Sequence, residues 1–405
     1  MIDGIAPATE RRISDATDAS SHRLLRDIRR DLHRMPELRF SETLTSDYIA
    51  ATVTPLSDRV TRSVAKTGLI AEIDSGRPGP RVLLRADMDA YPVQEANDVE
   101  YRSRHDGVSH ACGHDAHMTV VAGVLRRFAA TRPERGSVHA LFQPAEEIPF
   151  GQPSGAQTVL DEGALPGPYD AVIGLHCWPQ LEAGQVGVDT RIAMAAKDAF
   201  RIVVHGVGAH AATPVLGRDA LLAMSDLITA MHSLMARRRN PNEMIALNVG
   251  TIVGGASQSL VPQTVSITGT LRTHEQTVRE RSRQVIEQLC RGHALSHDVR
   301  IELEWADAMP SLMNDASLVS LARHVGPQAA DIVELTNPPL TTDDFALLAE
   351  RWPGIYLKLG VAAPGRAGSS SLHSPSFDID ERCLDTGVNV MERLTRAVLS
   401  GEGSR

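Results

Sequence analysis

The 405-residue chain predicts an α/β fold built on a mixed sheet, with an α+β domain inserted into it. Three observations carry that expectation. Short apolar runs alternate with segments of helical periodicity, the order expected of a sheet with parallel members. Several of those runs end in acidic residues or histidine, where ligands bind in such sheets. Near residue 195 the order changes to strand–helix–strand–strand–helix, without such clusters, and the first pattern then resumes. Residues 1–194 and 310–405 are therefore expected to form one domain in two parts, with 195–309 inserted.

Residues 1–20 are polar and aperiodic, and a loose arm is expected there. Leu24, Leu25, Ile28 and Leu32 recur at helical spacing and predict a helix over 21–34, ended by Pro36. Arg81-Val-Leu-Leu-Arg-Ala-Asp reads as a strand, 117–128 as a helix, and Ser137-Val-His-Ala-Leu-Phe-Gln as a strand running into Pro144-Ala-Glu-Glu. Tyr169-Asp-Ala-Val-Ile-Gly-Leu-His reads as a strand ending in histidine. Within the insert, strands are expected over 198–205, 245–255 and 265–272, and helices over 216–237 and 275–291. The first domain resumes with helices over 316–324, 343–351 and 381–399 and strands over 332–336 and 355–360.

A hydrophobic fraction of 42% sustains a packed core and excludes global disorder. The net charge of −9 argues against a nucleic-acid surface, which announces itself as a basic excess. It leaves room for a local basic pocket. No apolar run approaches the ~18–20 residues a membrane span needs, and no basic-then-apolar leader opens the sequence. Four cysteines (Cys112, Cys177, Cys290 and Cys383) are too few for a disulfide framework in so long a chain. A cytoplasmic protein is expected.

The densest cluster of reactive side chains is His110-Ala-Cys-Gly-His-Asp-Ala-His. Cys112 and His114 stand two apart in a glycine-containing bend and can converge on one ion, and thiolate with imidazole suits a borderline-soft metal such as zinc. Taken alone the segment also reads as a polar turn before a helix. Glu146-Glu147 follows a strand directly, and adjacent carboxylates there are often merely solvated. A metal hydrolase, however, needs one carboxylate to bind the ion and another, unliganded, to take a proton from water. His176 at a strand end and His373 in a Ser-Pro turn are individually ordinary. Together Cys112, His114, Glu147, His176 and His373 make five ligands, one more than tetrahedral zinc takes, which favours two ions. Asp87 and Asp89 also follow a strand and suit the role of acceptors behind ligand imidazoles.

Eight segments resemble the dinuclear-metal aminoacylase and carboxypeptidase superfamily, in the branch containing hippurate hydrolases and plant auxin-conjugate amidohydrolases. They are Leu32-His-Arg-Met-Pro-Glu-Leu, Leu84-Arg-Ala-Asp-Met-Asp-Ala-Tyr-Pro-Val-Gln-Glu, the His110 cluster, Phe142-Gln-Pro-Ala-Glu-Glu, Gly174-Leu-His, Gly208-Ala-His-Ala-Ala-Thr-Pro, Gly269-Thr-Leu-Arg-Thr and Leu372-His-Ser-Pro. They follow the family's order over roughly residues 24 to 399. The resemblance implies a zinc-peptidase-like catalytic domain with an inserted lid and dimerisation domain. It implies metal ligands at Cys112, His114, Glu147, His176 and His373, with Glu146 as general base. Two divalent ions per subunit are implied with them, and zinc, manganese, cobalt and nickel are all open. The resemblance matches His210 to a lid histidine that reaches the partner's active site and polarises the scissile carbonyl, so a homodimer or a dimer-based tetramer is implied.

The implied reaction is hydrolysis of an N-acyl or N-aroyl amino acid to a carboxylic acid and an amino acid. An acidic protein taking an acidic substrate needs a local cation, and Arg272 is a candidate, as much as it is for a surface ion pair. A dipeptidase or aromatic aminohydrolase on the same scaffold is the nearest alternative. A non-catalytic zinc-stabilised dimer that binds small acids is the remote one, and Glu146, which no structural site needs, counts against it. The sequence departs from the family at Met35, often a second histidine, and at Ala209, commonly glycine. Ser259 stands where many relatives carry a substrate-contacting asparagine, and residues 148–154 interrupt a stretch that is usually glycine-rich. The last two departures bear on the substrate rather than the reaction.

Overall fold

The computed structural model describes residues 8–147 and 151–402. Eight strands form a mixed sheet in the order Arg59–Val64, Gly68–Asp74, Ser137–Gln143, Arg81–Asp87, Ala171–Glu182, Gly354–Ala362, Gln185–Asp189 and Asp331–Leu335. The third to sixth of these run parallel to one another. Parallel strands are buried on both faces, so they read as apolar runs without alternation. Val82, Leu84 and Ala86 pack toward the helices Ala8–Arg34, Thr43–Val53, His114–Ala130, Ala316–Val325 and Cys383–Ser400. Leu83, Leu141, Val172 and Tyr356 point the other way, toward the helices Gly155–Asp161 and Phe345–Arg351.

Strand register brings the acidic segments together. Asp87 pairs with Gln143, so the chain leaves two neighbouring strands at one edge, into Met88-Asp89 and into Pro144-Ala-Glu-Glu. His176 lies on the next strand, directly across from Lys358.

A second, antiparallel sheet has the order Ile245–Gly254, Thr264–Thr273, Ala196–His205 and Arg300–Met309. One face is covered by the helices Ala220–Arg238 and Gln276–Ser296, around Phe200, Ile202, Met224, Leu227 and Ile286. Along Thr264–Thr273, buried Val265, Ile267 and Leu271 alternate with half-buried Thr268, Thr270 and Arg272, which belong to the opposite face. A small two-stranded ribbon pairs Ala209–His210 with Leu260–Val261.

The structure departs from expectation in several places. Residues 8–20 are helical rather than a loose arm, because Ala8, Glu10, Arg11 and Arg12 extend a helix anchored by Leu25, Ile28 and Leu32. Residues 1–7 of that segment, and 148–150 of the family departure, lie outside the described residues. The strand carrying His176 continues to Glu182, since Cys177 and Trp178 still pair with Leu359 and Gly360. The first helix after the His110 cluster begins at His114, where Gly113 at φ 87° supplies the left-handed turn that a side chain would resist. The helix expected from residue 216 starts at Ala220, capped by Asp219, which accepts the N–H groups of Leu221 and Leu222. The strand Arg300–Met309, which completes the inserted sheet, was not anticipated, although Ile301, Leu303 and Trp305 alternate with Glu302 and Glu304.

Candidate active site

Asp89 organises the acidic turn at the sheet edge. One of its carboxylate oxygens accepts the backbone N–H of Glu146 at 3.0 Å, the other that of Glu147 at 2.9 Å. Glu42 accepts the N–H of Ala145 at 2.9 Å, which holds that residue in the left-handed region at φ 52°. Gripped in this way, the two adjacent glutamates keep a carboxylate oxygen each within 4.8 Å of the other and of a His114 nitrogen, yet take different further partners. Glu147 reaches His373, Oε1 to Nε2 at 2.7 Å, and Glu146 groups with Asp343 and Asp344.

The histidines reveal their tautomers through their partners. His114 Nδ1 lies 2.7 Å from the carbonyl oxygen of Asp89, and His176 Nδ1 lies 2.8 Å from that of Cys177. A carbonyl only accepts, so each Nδ1 carries the proton and each Nε2 presents a lone pair. His176 Nε2 is 3.4 Å from Cys112 Sγ, and His114 Nε2 is buried without a hydrogen-bond partner. This is how metal-binding imidazoles are held from behind. His117, by contrast, uses both nitrogens: Nδ1 meets Asp87 at 2.6 Å and Nε2 accepts the Cys177 N–H at 2.9 Å. It braces the site and has no lone pair to spare.

The donor atoms of Cys112, His114 and His176 lie within 4.8 Å of one another, and so do those of Cys112, Glu147 and His373. Two ligand sets thus share one sulfur. His373 is fixed by stacking on Tyr91, with ring centres 3.9 Å apart, and by its N–H, which donates to Ala111 O at 2.8 Å. All five sequence-predicted ligands are brought together, with Glu146 beside them. Asp87 takes the ring of His117 rather than that of a predicted ligand, and Asp89 meets His114 through its backbone carbonyl while its carboxylate holds the Glu146–Glu147 turn.

The site carries an excess of negative charge. Burial, followed by Glu147, Asp343 and Asp344, pushes the Glu146 carboxyl well above the usual range. Burial and the same glutamate pair push the Cys112 thiol up as well. Burial works to lower His114, yet Asp87, Asp89 and Glu147 hold it at about 10. Acidic neighbours that raise the proton affinity of an imidazole and a carboxyl in this way equally favour a metal cation, and the lone pair of the orphaned His114 Nε2 fits that use.

These groups open on a cavity of about 300 Å³ that also takes in Trp178, Met194, Lys197, Arg272, Asp343 and Asp344. Arg272 is therefore at the site, half-buried, with Nη1 donating to the carbonyl of Leu340 at 2.9 Å. His210 and Ser259 are not. Both are exposed at the small ribbon, where the Ala211 N–H donates to Ser259 O at 3.0 Å, and neither lines the cavity of its own chain.

Sequence reasoning missed Lys197, Trp178 and the Asp343-Asp344 pair. Asp344 takes Arg85 Nη2 at 2.6 Å and Gln143 Nε2 at 2.8 Å, while Asp343 accepts the hydroxyl of Tyr356. The one available signal was two adjacent acids at the start of a predicted helix.

Fold and site together define a metal-dependent amidohydrolase. Residues 83–397 match the model of Peptidase family M20/M25/M40, and the chain belongs to that family. It is 36% identical to the N-acetyl-L-cysteine deacetylase of Bacillus subtilis (strain 168), over 88% of this chain and 84% of that one. It is 30% identical to the N-acetyldiaminopimelate deacetylase of the same organism, over 90% of this chain and 96% of that one. Among solved structures it resembles the Bacillus subtilis YXEP protein, described as a dinuclear metal-binding peptidase from the M20 family. The TM-score is 0.81 at 29% identity, covering 94% of this chain and 99% of that one. Among the described residues no helix is long and apolar enough to cross a membrane.

Proposed function

We propose that the protein hydrolyses the amide bond of N-acyl amino acids, releasing a carboxylic acid and an amino acid. Two divalent ions would be held by Cys112, His114, Glu147, His176 and His373. The observation that carries this is the pair of ligand sets sharing Cys112, with Glu146 standing beside both in an enclosed, carboxylate-rich corner. The names of the two deacetylases agree with such a substrate.

When bound, the ions supply Lewis acidity toward the carbonyl and toward the attacking water. Glu146 takes the proton of that water and passes it to the departing nitrogen. Its crowding by Glu147, Asp343 and Asp344 raises its proton affinity, as a base requires. Arg272 receives the substrate carboxylate. Trp178, Met194 and Met309 give the cavity apolar wall for the remainder.

His210 acts in the partner's cavity, donating a hydrogen bond to the scissile carbonyl oxygen. The inserted sheet supplies the dimer contact, through the edge strand Ile245–Gly254 with its exposed Ile252 and Val253 and through Leu221 and Leu222 on the neighbouring helix. Four buried, unpaired cysteines suit the reducing cytoplasm.

The test is a panel of N-acetyl and N-benzoyl amino acids with metal-reconstituted protein, following release of the free amino acid. Ammonia release alone, or cleavage of dipeptides without any acylated amino acid, would overturn the reading.

A further inference from the structure

Lys197 and Arg272 stand directly opposite each other on adjacent antiparallel strands of the inserted sheet. Both belong to the face away from the helices, and both line the cavity of the metal-ligand cluster. Like charges directly opposite on paired strands are destabilising, so such a pair calls for an anion between or above it. Among the described residues no carboxylate lies within ion-pair distance of either. Of the acids that share the cavity, Asp344 is engaged with Arg85 and Gln143, Asp343 with Tyr356 and Glu147 with His373, while Glu146 is the proposed base. Arg272 is lowered by burial with no acidic neighbour to offset it.

A single carboxylate on this pair would leave two cations facing one negative charge. We infer that the natural substrate is an N-acyl amino dicarboxylic acid, whose second carboxylate is received by Lys197 beside Arg272. This rests on the amidohydrolase reading above and narrows its substrate. The adjacency of the two cations decides which half of the substrate is doubly charged. Both lie on the same wall, so both carboxylates lie on the same side of the scissile amide, as in aspartate or glutamate. An N-succinyl neutral amino acid would instead carry its two carboxylates on opposite sides of the reacting carbon.

The discriminating pair is N-acetyl-L-glutamate and N-acetyl-L-glutamine, which match in shape and differ in charge. Wild-type protein should favour the glutamate form roughly 10- to 100-fold in kcat/KM, the worth of one charge-assisted contact. Free L-glutamate should bind more tightly than L-glutamine by a similar factor in calorimetry. Lys197→Met should collapse both ratios toward unity, and Lys197→Arg should restore them. Equal use of the two substrates by wild type, a preference that survives in Lys197→Met, or a greater preference for N-succinyl-L-leucine would each overturn the inference. Charge-selective binding of glutamate without hydrolysis of any acylated amino acid would instead uphold the dicarboxylate site and sink the amidohydrolase reading. Hydrolysis without charge preference would do the reverse.

Discussion

The rings of His114 and His176 meet edge to face, at 90° with centres 6.1 Å apart, and each is tied by Nδ1 to a backbone carbonyl. The two Nε2 atoms thereby become fixed acceptors close to Cys112, whose sulfur is 3.4 Å from that of His176. With burial pushing its thiol up, Cys112 is not poised as a free nucleophile. On the proposed reading it would become a thiolate through coordination.

That gives the first prediction. Exhaustive chelation should abolish turnover, and zinc, manganese, cobalt or nickel should restore it. Alkylation of Cys112 should be slow in the metal-loaded protein and fast after chelation, followed by mass spectrometry of the peptide. The same rate in both states would take Cys112 off the metal.

Glu146 and Glu147 are neighbours with different partners, Asp343 and Asp344 for one and His373 for the other, so their amides should behave differently. Glu146→Gln should retain metal and lose about 10²–10⁴ in kcat. Glu147→Gln removes the carboxylate that meets His373 and should lose metal as well. Metal content by elemental analysis, read beside kcat, separates the two. The opposite pattern would exchange their roles.

A third prediction concerns the support beneath the site. Arg29 is fully buried, with Nε 2.8 Å from Asp115 and Nη2 2.8 Å from Asp378, and it links the first helix to the C-terminal segment. Burial works to raise Asp115, but Arg29 and His33 overcome this and hold it far below the usual carboxylate range. Arg29→Met should cost about 3–5 kcal/mol at neutral pH by leaving a buried carboxylate short of its partner. A depressed folded pKa stabilises above the unfolded value of ~3.9 and is lost as pH falls below it. The difference in denaturant midpoint between wild type and Arg29→Met should therefore narrow on acidification. A difference that holds constant down to low pH would assign the cost to packing alone.

How much of the site is legible in the sequence depends on where the information lies. Cys112 and His114 were readable because their ligand atoms come from one bend. Glu146, Glu147 and His176 were readable because they follow apolar runs of a sheet, although the strand through His176 runs on to Glu182. His117 looked equal to its neighbours, and only its two occupied nitrogens set it apart as a brace. Lys197 is one lysine in an unexceptional strand, and its meaning depends on the register that brings Arg272 opposite. Glu42 is similar: nothing local marks it, yet burial and the nearby Asp89 push it up to about 7 as it grips the turn before Glu146. Roles created by pairing across the sheet are the ones a linear reading loses.

The last prediction comes from a displacement. His210 is exposed on its ribbon and does not line its own chain's cavity, so any part it takes in the reaction must be played elsewhere. Its Nδ1 accepts the Ala212 N–H at 3.0 Å, which leaves Nε2 carrying the proton and free to donate outward. A donor delivered to the partner's scissile carbonyl is worth roughly 10²–10³ in kcat. His210→Ala should therefore dimerise, hold metal and turn over poorly, by sedimentation, elemental analysis and kinetics in turn. Mixing it with Glu146→Gln decides the geometry. In the mixed dimer, one cavity combines the intact Glu146 of the His210→Ala chain with the intact His210 of its neighbour. Activity should then rise toward that of one working site per dimer. If subunit exchange is demonstrated by mass and activity stays at the level of the separate variants, His210 does not serve the partner's site.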